Sequence, residues 1–143
     1  MISGSAMLGP WAMELEVSSA VLGRLRAEAA AAHPHECCGL LLGEGLAVTR
    51  LEPARNVHPQ PDRHFEIDPR ALIDAFRAGR AGGPQVLGYY HSHPVGAPAP
   101  SPTDRAEAAH DGRVWAIIAG NAVSFWRDAP DGFEALSYVV RDA

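Results

Sequence analysis

Apolar and polar positions along the 143 residues change period several times, and each change marks an element. Glu14-Leu15-Glu16-Val17 alternates and predicts a short strand over 14–17. Val21, Leu22, Leu25, Ala29 and Ala32 recur at helical spacing. They predict a helix over 20–32, capped by Ser18 or Ser19 and ended by Pro34. The apolar run over 37–42 reads as a strand, Gly43-Glu44-Gly45 as a turn, and 46–53 as the hairpin partner. Residues 54–63 are polar, contain prolines and predict a loop, with a short strand after it over 64–67. Asp68-Pro69 is an N-cap and N1 pair. It opens a helix to Arg80 that should bury Leu72, Ile73 and Phe76 before Ala81-Gly82-Gly83-Pro84 stops it. Val86 to Tyr90 is a buried strand, and the three prolines and one glycine of 94–100 exclude helix and ladder. Ser101-Pro102-Thr103-Asp104 starts an Ala-rich helix expected to reach Asp111. Strands over 114–119, 122–127 and 133–140 follow, turned by Gly120-Asn121 and Asp131-Gly132.

Strand, helix, hairpin, strand, helix, strand, helix and a closing meander describe a single α/β domain. One mixed sheet should carry the packed helices. Residues 1–13 show no period and contain Gly, Ser and Pro, so they read as a loose leader before a domain over 14–143. Met13 is a candidate true start.

Composition narrows the partners. Apolar residues are 47 % of the chain, enough for a full core. The net charge is −5 and the basic residues form no cluster, which argues against a nucleic-acid partner. All 12 basic residues are arginine, so the chain offers no lysine as an isopeptide acceptor. Cys37 and Cys38 are adjacent and should face opposite ways on a strand. A disulfide between them is therefore not expected, which fits a reducing compartment. No apolar run approaches the roughly 18 residues of a membrane span, and no signal peptide is indicated. The expectation is a cytoplasmic protein.

The chemistry gathers after Tyr90. His91 and His93 are two apart on a strand end, so both imidazoles point to one spot. The proline segment then returns Asp104, at N3 of the next helix, toward it. Two neutral imidazoles and one carboxylate are a common open zinc set. A zinc there brings a water's pKa to near 7. The set lacks a base, and the candidate lies upstream in His33-Pro34-His35-Glu36-Cys37-Cys38-Gly39. By itself, Asp104 also suits helix capping and Ser101 an N-cap. His33, His35, His58, His64 and His110 show no comparable arrangement, although His58 and His64 are placed to touch substrate from their loop.

His91-x-His93, seven residues, Ser101, two residues and Asp104, with Glu36 ahead of Cys38-Gly39-Leu40-Leu41-Leu42-Gly43, resembles the JAMM (MPN-plus) metallopeptidases. The small single-domain bacterial members are the nearest in kind. The resemblance covers residues 14 to about 127 and includes Phe65-Glu66-Ile67-Asp68-Pro69. It implies an MPN-like domain with one Zn2+ held by His91, His93 and Asp104. It implies Glu36 as general base and then general acid, and Ser101 as donor to the oxyanion. Ser92 should face away from the metal. The implied substrate is a ubiquitin-like sulfur-carrier protein, cut at or after its C-terminal Gly-Gly to release cysteine, another amino acid or a short extension. Relatives cut isopeptide bonds to lysine. Three alternatives stand beside this reading. A non-catalytic MPN-type scaffold would lack some ligands. A DNA-repair-associated relative typically has Asn where this chain has Ser92. A mononuclear iron site would also use two histidines and a carboxylate.

Overall fold

The computed structural model describes residues 14–142. The leader and alternative start expected over residues 1–13 lie outside the described residues. In chain order the elements are β1 (Glu14–Ser18), α1 (Ser19–Ala32), β2 (Cys38–Glu44), β3 (Ala47–Ala54), α2 (Pro69–Arg80), β4 (Gln85–Ser92), α3 (Pro102–Glu107), β5 (Val114–Ala119), β6 (Ala122–Ala129) and β7 (Gly132–Arg141). The strands form one mixed sheet in the order β1-β3-β2-β4-β5-β6-β7. It closes on itself because β1 runs parallel to both β3 and β7. The expected mixed α/β architecture is present. Its closure into a barrel was not foreseen, because a sequence pattern shows which face is apolar and not which edges meet.

Each sheet face buries one helix. Val21, Leu22 and Leu25 of α1 pack with Leu15, Val17, Leu41, Tyr90, Ile118 and Phe125 on one side. On the other, Cys38, Leu40, Leu42 and Ile67 pack beneath Leu72 and Ala75 of α2. Strand β2 is buried on both faces, which explains its unbroken apolar run. Cys37 and Cys38 fall in opposite clusters, both as free thiols. Burial pushes the Cys38 thiol up to about 12, far from a reactive thiolate at neutral pH. At Gly88 a Cβ would collide with the Val114 carbonyl, so glycine is what lets β4 lie tight along β5. That contact holds the histidine-bearing strand between β2 and β5.

Three local expectations change. Residues 64–67 form no strand, only a bridge from Ile67 to Asn56, because the Asn56 side chain takes over the backbone bonding there. Ile73 is 52 % exposed, since α2 packs through Leu72, Ala75 and Gly79 and Ile73 lies off that stripe. The third helix stops at Glu107, short of Asp111. The buried Asp128 carboxylate takes the His110 N–H, and the Gly112 N–H goes to the Asp128 carbonyl. These tertiary bonds pull the segment out of helix.

Candidate metal centre

The site is built on the C-terminal end of β4. Its neighbours β2 and β5 bury His91 completely. The His93 N–H continues the ladder, donating to the Ile118 carbonyl at 2.8 Å. Ser92 faces the other way, and its hydroxyl accepts the Cys37 N–H at 2.9 Å. Beyond it the proline loop curls back. The His93 Nδ1–H donates to the Ala97 carbonyl at 2.8 Å. The Ser124 hydroxyl clamps the Pro98 carbonyl at 2.6 Å. A proton on His93 Nδ1 leaves Nε2 as a lone-pair donor.

The loop delivers α3 with its cap formed. The Ser101 hydroxyl accepts the Asp104 N–H at 3.0 Å, and Asp104 Oδ2 accepts the Ser101 N–H at 3.0 Å. The cap turns the Asp104 carboxylate inward, where it is 4 % exposed. Its Oδ1 lies 3.0 Å from His91 Nε2, its Oδ2 lies 3.1 Å from His93 Nε2, and the two Nε2 atoms are 3.1 Å apart. Ligands about 2.0–2.1 Å from a tetrahedral ion stand roughly 3.3 Å from one another. The donor triangle therefore has the size and chemistry of one face of a zinc site. His91, His93 and Asp104 are the group of metal-ligating side chains found together among the described residues.

The electrostatics suit such a group. Burial pushes His91 toward the neutral imidazole, against the pull of Asp104. Burial also acts downward on His93, but the bonds to Asp104 and the Ala97 carbonyl outweigh it and raise it. Burial alone would raise Asp104; the two imidazoles and the Ser101 N–H reverse this and hold it well below the usual carboxylate range.

Glu36 reaches the same place from the far side of the sequence. Its N–H donates to the Pro61 carbonyl at 2.7 Å, and its carbonyl accepts from Asn56 Nδ2 at 3.0 Å. The side chain is 7 % exposed. Burial pushes its carboxyl up to about 7, with His93 lowering it and Asp104 raising it. Such a group exchanges a proton readily at neutral pH. Glu36 lies where two cavities meet. One, of about 750 Å³, holds Ser101 and His93 under the proline loop; the other, of about 570 Å³, runs past Asp104 and Trp115.

Three contributors escaped the sequence reading. Asn56 bonds the Glu36 and His64 carbonyls and the Glu66 and His58 N–H groups. Phe65 stacks on the His91 ring with centroids 4.3 Å apart, and Trp115 meets that ring edge-on. These contacts hold His91, whose Nδ1 has no hydrogen-bond partner among the described residues. Asn56 lies within the polar, proline-containing loop over 54–63, and nothing in that stretch of sequence singles it out. The structure does not bring the other histidines to the triad. His35 pairs with Asp62 on the surface, and His58 and His64 pack together on the wall of the second cavity.

Comparison with known proteins places this geometry. Haloferax volcanii desampylase is 36 % identical over 104 residues, covering 71 % of this chain and 75 % of that protein. A probable TtuB-protein conjugate cleaving protease of Thermus thermophilus is 40 % identical over 94 residues, covering 66 % of this chain and 63 % of its own length. The fold matches that of a JAB1/MPN domain protein from Archaeoglobus fulgidus, with a TM-score of 0.60 over 88 % of this chain and 98 % of that one at 21 % identity. The family model for prokaryotic homologs of the JAB domain matches residues 18–129, and with the α/β fold and the His91, His93 and Asp104 cluster in place, the chain belongs to that family.

Proposed function

We propose that the protein is a zinc-dependent peptidase that hydrolyses the bond after the C-terminal Gly-Gly of a ubiquitin-like sulfur-carrier protein, releasing cysteine, another amino acid or a short extension. The observation that carries this reading is the buried donor triangle of His91, His93 and Asp104 with the Glu36 carboxyl, pushed up to about 7, beside it. The relatives named for desampylase activity and for cleaving TtuB-protein conjugates support the substrate class.

His91 and His93 would hold the metal through Nε2 and Asp104 through its carboxylate. Zinc bound there supplies a Lewis acid that polarises a carbonyl and acidifies water. Glu36 takes the proton from the attacking water on its carboxylate and then returns it to the departing nitrogen, keeping the proton count balanced. Ser101 uses its oxygen to accept the Asp104 N–H, so its hydroxyl proton remains for the oxyanion of the tetrahedral intermediate. The His93 bond to Ala97 and the stack of Phe65 on His91 keep the donor atoms aimed while this happens.

The test is incubation of the zinc-loaded protein with ubiquitin-like carriers bearing C-terminal extensions or lysine-linked adducts, read by mass spectrometry. A new carrier terminus at Gly-Gly, lost after chelation and regained with zinc, is expected. Intact carriers in the presence of one zinc per chain would reject this substrate class.

A further inference from the structure

The two cavities that meet at Glu36 share three lining residues, Glu36, Arg63 and Thr103. Of these, Arg63 has no part in the chemistry proposed for the centre. Among the described residues it is the one arginine of either wall, and the chain has no lysine. Histidines aside, the other charged side chains of these walls are carboxylates, Asp62, Glu66, Glu107 and Asp111 among them. None of them holds the guanidinium. The arginines ion-paired among the described residues are Arg24, Arg70, Arg113, Arg127 and Arg141. The adjacent Asp62 is engaged by His35, and Arg63 is exposed.

The Arg63 backbone is held all the same. Its N–H donates to the Gln60 carbonyl at 3.2 Å, and the His64 N–H donates to that carbonyl at 3.1 Å. In the same turn the Pro61 carbonyl accepts the Glu36 N–H at 2.7 Å. Asn56 Nδ2 donates to the Glu36 and His64 carbonyls, at 3.0 Å each. One turn thus fixes the backbones of Glu36 and Arg63 relative to each other and leaves the guanidinium unpaired. A planar fork of donors on an anchored backbone suits a carboxylate.

We propose that Arg63 is a specificity-determining residue that binds the α-carboxylate of a single amino acid departing from the carrier. This rests on the reading that the protein cuts after Gly-Gly. Glycines place no charge near the cut, and the carrier's own terminal carboxylate forms only as the bond breaks. The carboxylate of a one-residue leaving group is then the substrate anion nearest the reacting atoms. Its carbon stands about 2.5 Å from the departing nitrogen, two bonds away. Glu36 returns its proton to that nitrogen, and Glu36 and Arg63 share a wall. A second leaving residue carries the carboxylate roughly 3.3–3.6 Å further off. A lysine joined through its side chain has methylenes in that place. Arg63 therefore selects a free amino acid over an amide, a longer extension or an isopeptide adduct.

The test uses the zinc-loaded full chain and two carriers, one ending in Gly-Gly-Ala and one in Gly-Gly-Ala amide. They differ at the cut by one charge, and alanine avoids the thiolate that cysteine would offer to zinc. Wild-type kcat/KM should favour the acid by roughly tenfold, the scale of a hydrogen bond between charged groups. The gain should lie mainly in KM, since the contact is present before and during bond breaking. Arg63→Gln should bring the ratio toward one with zinc per chain unchanged. Arg63→Lys, which keeps the charge and loses the fork, should retain roughly threefold. A wild-type ratio near one overturns the proposal. So does a ratio that survives Arg63→Gln, which would put the carboxylate on the metal or Arg63 on the carrier. Calorimetric titration of zinc-loaded Glu36→Gln protein with N-acetyl-Gly-Gly-Ala and its amide reads the contact without catalysis. An acid preference that Arg63→Gln abolishes in that background, with no carrier cut by the wild type, would retain the carboxylate subsite and reject the peptidase reading alone. Both carriers cut equally, with no acid preference in the titration, would reject the subsite and leave the peptidase reading standing.

Discussion

The donor triangle and the Glu36 carboxyl meet at one place but are held there by different means. His93, the proline loop and Asp104 are shaped largely by bonds within their own segment: His93 to Ala97, and the reciprocal pair between Ser101 and Asp104. Glu36 is set by residues from the loop after β3, with Pro61 and Asn56 on its backbone groups. Its carboxyl is pushed up mainly by burial rather than held by a partner. The first region is therefore built to bind and the second to be uncomfortable when charged. Metal affinity and proton transfer should then respond to different substitutions.

The largest effect should separate the two regions outright. His91→Ala or Asp104→Ala removes one of three donors. Zinc per chain, measured by elemental analysis, should fall well below one and hydrolysis should vanish. Chelation of the wild type should reproduce the loss, and added zinc should reverse it in the wild type alone. Glu36→Gln should do the converse, keeping zinc while slowing turnover by roughly 10²–10⁴, the usual weight of a positioned acid–base group. A Glu36→Gln protein that loses its metal would show that the two regions are one.

The same division sets what was legible in the chain. The period of two that pairs His91 with His93, and the capping pattern that turns Asp104 inward, are local rules, and sequence displays them directly. The supports of Glu36 are not local. Asn56 reaches it across 20 positions of sequence, and Phe65 finds His91 only because β2 and β4 pair beneath that loop. The helix end at Glu107 and the loss of a strand at 64–67 have the same origin. In both places a side chain from elsewhere in the fold, the buried Asp128 or the half-buried Asn56, outbids the local preference. Barrel closure belongs here too, since Leu15 pairing beside Tyr138 depends on strands at opposite ends of the domain.

Two smaller substitutions sharpen the contrast. Ser101→Ala removes both the cap and the proposed oxyanion donor. Turnover should drop by roughly 10²–10³ with KM little changed. The cap costs about 0.5–2 kcal/mol of stability in addition. A rise in KM with kcat unchanged would assign Ser101 to substrate binding instead. Asn56→Ala leaves the Glu36 and His64 carbonyls without their donor. It should lower kcat by about tenfold and destabilise the chain by roughly 1–3 kcal/mol, with zinc affinity unaltered. An equal loss of zinc would tie the loop to the metal region.

The smallest effect concerns stability and pH in the metal-free protein. Folding raises Glu36 from 4.5 to about 7, so the folded state prefers it protonated. Its contribution to stability is complete below pH 4.5 and is lost as pH rises through about 7. Glutamine at this position does not titrate. The melting temperature of Glu36→Gln should therefore run parallel to wild type in acid and rise above it by a few degrees near pH 8. A loaded cation would favour the charged carboxylate and shrink that gap, so the same pair of melts with zinc should converge. Identical pH profiles for the two metal-free proteins would mean that Glu36 ionises without strain, and the reason for expecting a proton carrier at this position would go with it.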